Sequence, residues 1–166
     1  MITCTFDDGG KGNLRHVCVD GLVIRGEEIL LVKRSTKTTT AAGKLAIPGG
    51  YLDRDENTIE GVKREIQEEA GYKVNSGTLF HIRDNPSDLG DFNRQNLAFT
   101  YLFEDAEEIE GKELDWDSDS IQWVPLVQIG AMKDMLAFDH WHIIMAYIEY
   151  RKAKHELPVW NAYSKF

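Results

Sequence analysis

The sequence predicts an α/β (α+β) fold in which a mixed sheet lies between helices. Three observations carry that expectation. β-Branched apolar runs that read as paired strands fill the early part of the chain, a well-capped amphipathic helix follows them, and more strands precede a second apolar-striped helix. The order is β-β-β-α-β-β-β-α. At 166 residues the chain fits one domain over 1–166, with a loose N-terminal arm over 1–14 and a C-terminal tail over 155–166.

Residues 3–14 are rich in Gly and Asp, which favour turns over regular elements. From Arg15 to Ile24 the pattern is strand-like, carried by Val17, Val19 and Val23. Arg25-Gly26-Glu27 reads as a turn and Glu28–Lys33 as the returning strand of a hairpin. A loop of threonines and small residues leads to a short strand over 44–47, stopped by Pro48-Gly49-Gly50. Asn57–Ala70 is the strongest helix: Asn57 and Glu60 match a capping box, and Gly71 suits the left-handed position after the last turn. Ile59, Val62 and Ile66 give it one apolar stripe. Thr78–Arg83 and Gln95–Phe103 read as strands, separated by the polar loop 84–94. Residues 104–120 hold nine carboxylates against Lys112 alone and read as a loop. Ile121–Val124 is a further strand ended by Pro125, and Asp139–Lys152 a closing helix with Ile143, Ile144, Tyr147 and Ile148 on one side.

Charge and composition narrow the partners. A net charge of −9 without a Lys/Arg cluster argues against nucleic acid. No apolar stretch approaches the ~18 residues that a membrane span needs. The N-terminus lacks the basic flank and apolar core of a signal peptide, so a cytoplasmic location is expected. Cys4 and Cys18 do not have the paired spacing of a zinc site and read as reduced thiols. The partner that remains is a small molecule, and an acidic chain can take an anionic one if a divalent cation sits between them. A homodimer is left open.

The informative segment is Gly50–Tyr72, GYLDRDENTIEGVKREIQEEAGY. Glu65, Glu68 and Glu69 fall at i, i+3 and i+4, so they share one helix face. Such like-charge pairs cost about 0.2–0.5 kcal/mol each, and the C-terminal half of a helix disfavours anions further. A hard cation such as Mg²⁺ or Mn²⁺ would reverse the sign, because carboxylate oxygens are its preferred donors. Arg64 stands beside the cluster and can grip a carboxylate with two N–H groups. Glu56 precedes it by eight residues, within reach if the loop folds back, and the bare backbone of Gly49-Gly50 lets a metal or phosphate approach closely.

These residues resemble the Nudix hydrolases, whose signature is G-x5-E-x7-R-E-U-x-E-E-x-G-U with U a bulky apolar residue. Gly50, Glu56, Arg64, Glu65, Ile66, Glu68, Glu69 and Gly71 stand at the required spacings. Seven fixed identities match by chance at roughly one start position in 10⁸. Tyr72 in the last position departs from an aliphatic residue, which is a packing change. The flanking strand order is similar to the Nudix α/β/α sandwich over nearly the whole chain.

The resemblance implies that Glu65, Glu68 and Glu69 bind the metal ions, with the carbonyl of Gly49 or Gly50 as a further ligand. It implies that Glu65 or Glu68 acts as base on the attacking water, and that Arg64 and Glu56 pair to orient Glu65. A further acidic residue from a distant loop is common in the family, and Glu113 and Asp117 are the candidates here. The implied reaction is hydrolysis of the pyrophosphate linkage of a nucleoside diphosphate joined to another moiety. Metal ions would neutralise the phosphate oxygens and activate water, and a carboxylate would take its proton. The loop 85–94 and the strand after it look similar to ADP-ribose and sugar-nucleotide members. Phe92 is the candidate to stack on a base, and Arg54 or Arg94 to hold a phosphate or ribose. The alternatives are a triphosphate pyrophosphohydrolase that sanitises the nucleotide pool and a non-catalytic nucleotide sensor. His140 and His142, two apart, read as ordinary surface or partly buried histidines, and Trp141 and Trp160 as packing or dimer contacts.

Overall fold

The computed structural model describes residues 2–84, 96–153 and 156–160. Strands β1 (Ile2–Thr5) and β2 (Lys11–Leu14) come first, then β3 (Val17–Arg25), β4 (Glu28–Arg34), β5 (Leu45–Ala46) and β6 (Gly49–Tyr51). Helix α1 (Thr58–Ala70) is followed by β7 (Tyr72–Val74), β8 (Gly77–Arg83), β9 (Leu97–Phe103), β10 (Ala106–Glu108) and β11 (Ser118–Pro125). Two 3₁₀ segments (Leu126–Ala131 and Lys133–Met135) lead into α2 (His140–Lys152), and β12 (Val159–Trp160) ends the described chain. The main sheet runs β11-β4-β3-β9-β8-β12, with β5 paired to β4 and β6 to β3. It is mixed: β3 and β9 are parallel, as are β8 and β12, and the other pairs are antiparallel.

The two-residue side-chain period of a strand sorts the core into two layers. On one face Leu22 and Ile24 of β3 and Ile29 and Leu31 of β4 pack with Phe80, Ile143, Ile144 and Tyr147 under α2. On the other, Val19, Val23, Leu30 and Val32 pack with Val62, Ile66 and Ala70 of α1. The contact with α1 is close enough that a Cβ on Gly21 would meet Ile66 Cδ1 at 2.6 Å. The expected sandwich of a mixed sheet between helices is therefore observed. No described helix is long and apolar enough to cross a membrane.

Helix α1 follows its sequence signals. Asn57 Oδ1 accepts from the Glu60 N–H at 3.0 Å, Glu60 Oε2 accepts from the Asn57 N–H at 2.9 Å, and Gly71 stops the helix at φ 72°.

Elsewhere the structure departs from the sequence reading. Residues read as an arm form the β1–β2 hairpin, and part of the stretch read as a tail adds β12 to the sheet. The expected stop at Pro48-Gly49-Gly50 is a two-residue break, after which β6 pairs with β3. The acidic stretch 104–120 is not all loop: β10 pairs antiparallel with β7, and β11 begins at Ser118. Strand β10 escapes a periodicity search because it has no apolar alternation. Backbone pairing holds it, and Glu107 and Glu108 stay exposed.

Two registers create the functional cavity. Strands β3 and β4 pair only at Ile24–Ile29 and Arg25–Glu28. Beyond those pairs they splay, β3 taking β6 and β4 taking β5 as antiparallel partners. The opening between them faces the start of α2.

Candidate active site

A cavity of about 350 Å³ is lined by Gly49, Gly50, Arg64, Glu65, Glu69 and Asp117 on the α1 side. Opposite them stand Asp20, Arg34, Arg83, Phe138, Asp139 and His140. The glycines allow the close approach. A Cβ on Gly50 would sit 2.4 Å from Glu65 Oε1, and one on Gly49 would sit 2.4 Å from the Val19 carbonyl oxygen. The bare backbone thus touches the helix carboxylates directly, and the Gly49 N–H donates to Glu69 Oε2 at 2.9 Å.

Arg64 organises the rest. Its Nε and Nη2 donate to the two oxygens of Glu56 at 3.0 and 2.7 Å. Nη1 donates to Glu65 Oε1 at 2.9 Å and to Glu68 Oε2 at 3.0 Å, and Nη2 donates also to the Tyr51 carbonyl at 3.1 Å. The eight-residue gap between Glu56 and Arg64 closes because the Asp53 N–H donates to Glu56 Oε1 at 2.8 Å and turns the loop back. Gly61 leaves the room: a Cβ there would meet Glu56 Oε1 at 2.8 Å. The bidentate contact holds the Glu56 carboxyl below its ordinary range, and the guanidinium's own pKa is raised in turn.

The three helix glutamates have different environments. Glu65 and Glu69 line the cavity and are buried or nearly so. Glu68 shares the Arg64 guanidinium but lies outside the cavity lining, with its side chain 36% exposed. Of the two acidic candidates from the distant loop, Asp117 lines the cavity and Glu113 is exposed and does not. The acidic segment reaches the site because the Asp115 N–H donates to the Glu68 carbonyl at 3.1 Å and the Ile109 N–H to the Gly71 carbonyl at 2.9 Å. It thereby satisfies carbonyls at the end of α1 that would otherwise lack donors. Arg54 does not line the cavity; its side chain is 94% exposed beside Asp55. Phe92 and Arg94 lie outside the described residues, as does the loop 85–95. Tyr72 is buried, packed edge-on against Trp123, and its hydroxyl accepts from Trp123 Nε1 at 3.0 Å.

The opposite wall was largely invisible in the sequence. Arg83 Nη1 donates to the buried Asp139 Oδ2 at 2.6 Å across 56 residues of chain. His140 is not a surface residue: it is buried, and its Nδ1 accepts from the Ile47 N–H at 3.0 Å. Burial pushes its pKa down to about 4, so at neutral pH the ring is uncharged with its proton on Nε2. That nitrogen lies 4.0 Å from Asp20 Oδ1. Asp20 alone left a sequence signal, a carboxylate interrupting the apolar strand VCVDGLVI.

The charge balance suits a hard cation. Burial pushes Asp20 up to about 7 and Glu65 up to about 6, and it raises Glu69 well above the ordinary carboxylate range. The Asp117 charge adds to the rise at both glutamates. Among the described residues no ready-made cluster of three metal-ligating side chains exists, and Arg64 and the Gly49 N–H hold glutamate oxygens. The donor set nonetheless fits: crowded carboxylate oxygens, penalised by burial and by one another, gain most from a divalent ion.

This balance predicts a pH signature in metal-free protein. A carboxyl whose pKa rises on folding stabilises the fold below its unfolded value, and that stability is lost as pH rises through the folded value. His81 and His140, both pushed down to about 4 by burial, do the reverse: they stabilise above their ordinary 6.5 and lose that stability as pH falls through about 4. The two sets oppose each other below 6.5, and of these groups only the carboxyls still titrate above it. EDTA-treated protein is therefore expected to show a falling Tm from about pH 6.5 to about pH 8. Millimolar Mg²⁺ or Mn²⁺ should raise Tm and flatten the slope. A Tm indifferent to both ions would rule out a cation among these carboxylates.

Comparison with known proteins places the chain. Residues 14–147 match the NUDIX domain. An ADP-ribose pyrophosphatase of Methanocaldococcus jannaschii is 29% identical over 135 residues, which cover 81% of this chain and 74% of that protein. A human 8-oxo-dGDP phosphatase is 23% identical over 89% of this chain and 43% of its own length. A Francisella tularensis structure, described as a bifunctional NMN adenylyltransferase/ADP ribose pyrophosphatase complexed with AMP and a manganese ion, superposes with a TM-score of 0.65. It is 25% identical, and the match covers 82% of this chain and 42% of that one. With the signature segment folded as a loop and helix against a glycine-lined acidic cavity, and with the domain match spanning most of its length, the chain belongs to the Nudix hydrolase superfamily, enzymes that hydrolyse pyrophosphate linkages in nucleotide-derived substrates.

Proposed function

We propose that the chain is a divalent-metal-dependent hydrolase that cleaves the pyrophosphate linkage of a nucleoside diphosphate joined to another moiety, with ADP-ribose as the favoured substrate. The observation that carries this reading is the cavity in which Glu65, Glu69 and Asp117 meet the bare backbone of Gly49 and Gly50. Glu65, Glu69 and Asp117 would hold Mg²⁺ or Mn²⁺, with Glu68 beside them on the same guanidinium nitrogen of Arg64 as Glu65. Such an ion would supply charge neutralisation at the pyrophosphate and make the attacking water more acidic. Glu65 is the better placed of the two candidate bases, because it faces the cavity and Glu68 does not. Arg64 and Glu56 act through Glu65 as positioning residues, fixing its carboxylate with a planar, multiply bonded guanidinium. With ADP-ribose, water adds to one phosphorus and the bridging P–O bond breaks. AMP and ribose 5-phosphate leave, and the proton of the water passes to the carboxylate.

The likeness to the Methanocaldococcus jannaschii enzyme supports ADP-ribose. The likeness to the human 8-oxo-dGDP phosphatase keeps a second reading, removal of damaged nucleotides from the pool. A panel of ADP-ribose, nucleotide sugars and ordinary and oxidised nucleoside di- and triphosphates, assayed with Mg²⁺ and Mn²⁺ for product identity, separates them. AMP and ribose 5-phosphate from ADP-ribose, with weak turnover of the others, is the expected result. Preferred turnover of the oxidised nucleotides would favour the second reading. Tight binding without turnover of any compound would make the protein a nucleotide sensor.

A further inference from the structure

Six carboxylates and three arginines line the cavity among the described residues. Arg64 is held by Glu56, Glu65 and Glu68, and Arg83 by Asp139. Arg34 differs. Its Nε donates to the Thr40 carbonyl at 3.3 Å, and it meets no carboxylate within ion-pair distance among the described residues. With the helix carboxylates given to a cation, a guanidinium not spent on a carboxylate marks a further place where a phosphate oxygen can be received.

Beside it stands Phe138, whose ring centroid is 5.3 Å from the Arg34 guanidinium carbon. Phe138 is 53% exposed although it lines the cavity, and its φ of 51° is one that a bulky L-residue adopts only at a cost. The neighbouring chain enforces that conformation. The Ala137 N–H donates to the Leu45 carbonyl at 2.7 Å, Leu136 bridges to Leu45, and the His140 N–H donates to the Ala137 carbonyl at 3.2 Å. The chain is therefore fixed to β5 on one side and to the start of α2 on the other, and the ring between them is turned out to the cavity rim. His140 packs against the ring at a centroid distance of 5.4 Å. A strained backbone that keeps a large apolar ring in water at a cavity mouth is costly for folding alone, and it suits a ligand with a flat face.

We propose that Phe138 and Arg34 form the nucleoside subsite of the cavity, the ring stacking on the base and the guanidinium receiving the adjacent phosphate. This rests on the reading of the cavity as a site for a nucleotide-derived substrate. It places base recognition on the segment before α2 and the end of β4, opposite the helix glutamates.

The test is calorimetric binding of AMP, GMP, CMP and UMP, with ribose 5-phosphate as the base-free probe, to the full chain with Mg²⁺. Stacking losses on truncating an aromatic correspond to about tenfold or more in affinity. Phe138→Ala should therefore weaken the tightest-binding monophosphate by about tenfold and leave ribose 5-phosphate within about twofold. Phe138→Trp should keep the monophosphate affinity, which also shows that the position tolerates change without unfolding. Arg34→Gln should weaken the monophosphate and ribose 5-phosphate alike. Unchanged monophosphate affinity in Phe138→Ala, equal loss of both probes, or no monophosphate bound by wild type at millimolar concentration would overturn the assignment. Absence of turnover across the substrate panel bears on the hydrolase reading and leaves this binding asymmetry standing.

Discussion

Glu69→Gln is expected to lower kcat by on the order of 10²-fold or more while the metal-free protein melts at nearly the wild-type temperature. Glu69 is 6% exposed, and burial holds its carboxyl well above the ordinary range, so the metal-free fold favours the neutral acid. Glutamine is close to that acid in size and charge, and its amide oxygen can still accept from the Gly49 N–H. The fold therefore loses little. A cation among the carboxylates would lose an anionic donor, and the rise in Tm on adding Mg²⁺ should shrink or vanish. The measurement pairs steady-state kinetics with melting curves in EDTA and in Mg²⁺. Wild-type kcat with an undiminished metal response would exclude Glu69 from the working site.

Arg64→Lys should cost a comparable factor in kcat with a modest change in KM. Five hydrogen bonds from one planar group fix Glu56, Glu65, Glu68 and the Tyr51 carbonyl. Lysine keeps the charge but has three donors on a single nitrogen, and it cannot bridge Glu56 bidentately while also holding Glu65. The Glu65 carboxylate then loses its fixed orientation, and a displacement of about 1 Å at a reacting group can cost on the order of 10²-fold in rate. Substrate contacts elsewhere in the cavity stay, which is why KM should move little. A purely structural role would lower Tm and leave the kcat of the folded fraction alone. Unchanged kcat in Arg64→Lys would therefore refute the positioning role, whatever happens to stability.

Much of the α1 side of the cavity could be read from residue order because its chemistry is local. Helical geometry brings Glu65 and Glu69 to one face, Asn57 and Glu60 cap the helix, and Gly71 ends it at a left-handed φ. The pairing of Glu56 with Arg64 was implied by the family resemblance, and it forms across the cap Asn57 and the first two turns of α1. The same logic could not rank the glutamates. All three share a helix face, yet the cavity takes Glu65 and Glu69 and leaves Glu68 outside, because the approach of Gly49 and Gly50 decides which part of that face is covered. Nor could it choose between Glu113 and Asp117. That depended on how backbone N–H groups of the acidic segment dock on the end of α1.

The sequence by itself determined the helix and the layer order, because periodicity and capping are local properties, and its signature segment, through the family resemblance, pointed to the reaction class. The opposite wall was decided by tertiary structure alone. Arg34, Arg83, Phe138, Asp139 and His140 come from β4, β8 and the start of α2, and they meet only because β3 and β4 splay after two residue pairs and α2 packs across the opening. Nothing in the order of residues measures that splay. It follows from the pairing of β5 and β6 between the diverging strands, which rests on backbone hydrogen bonds and, at β6, on the bare backbone of Gly49 and Gly50.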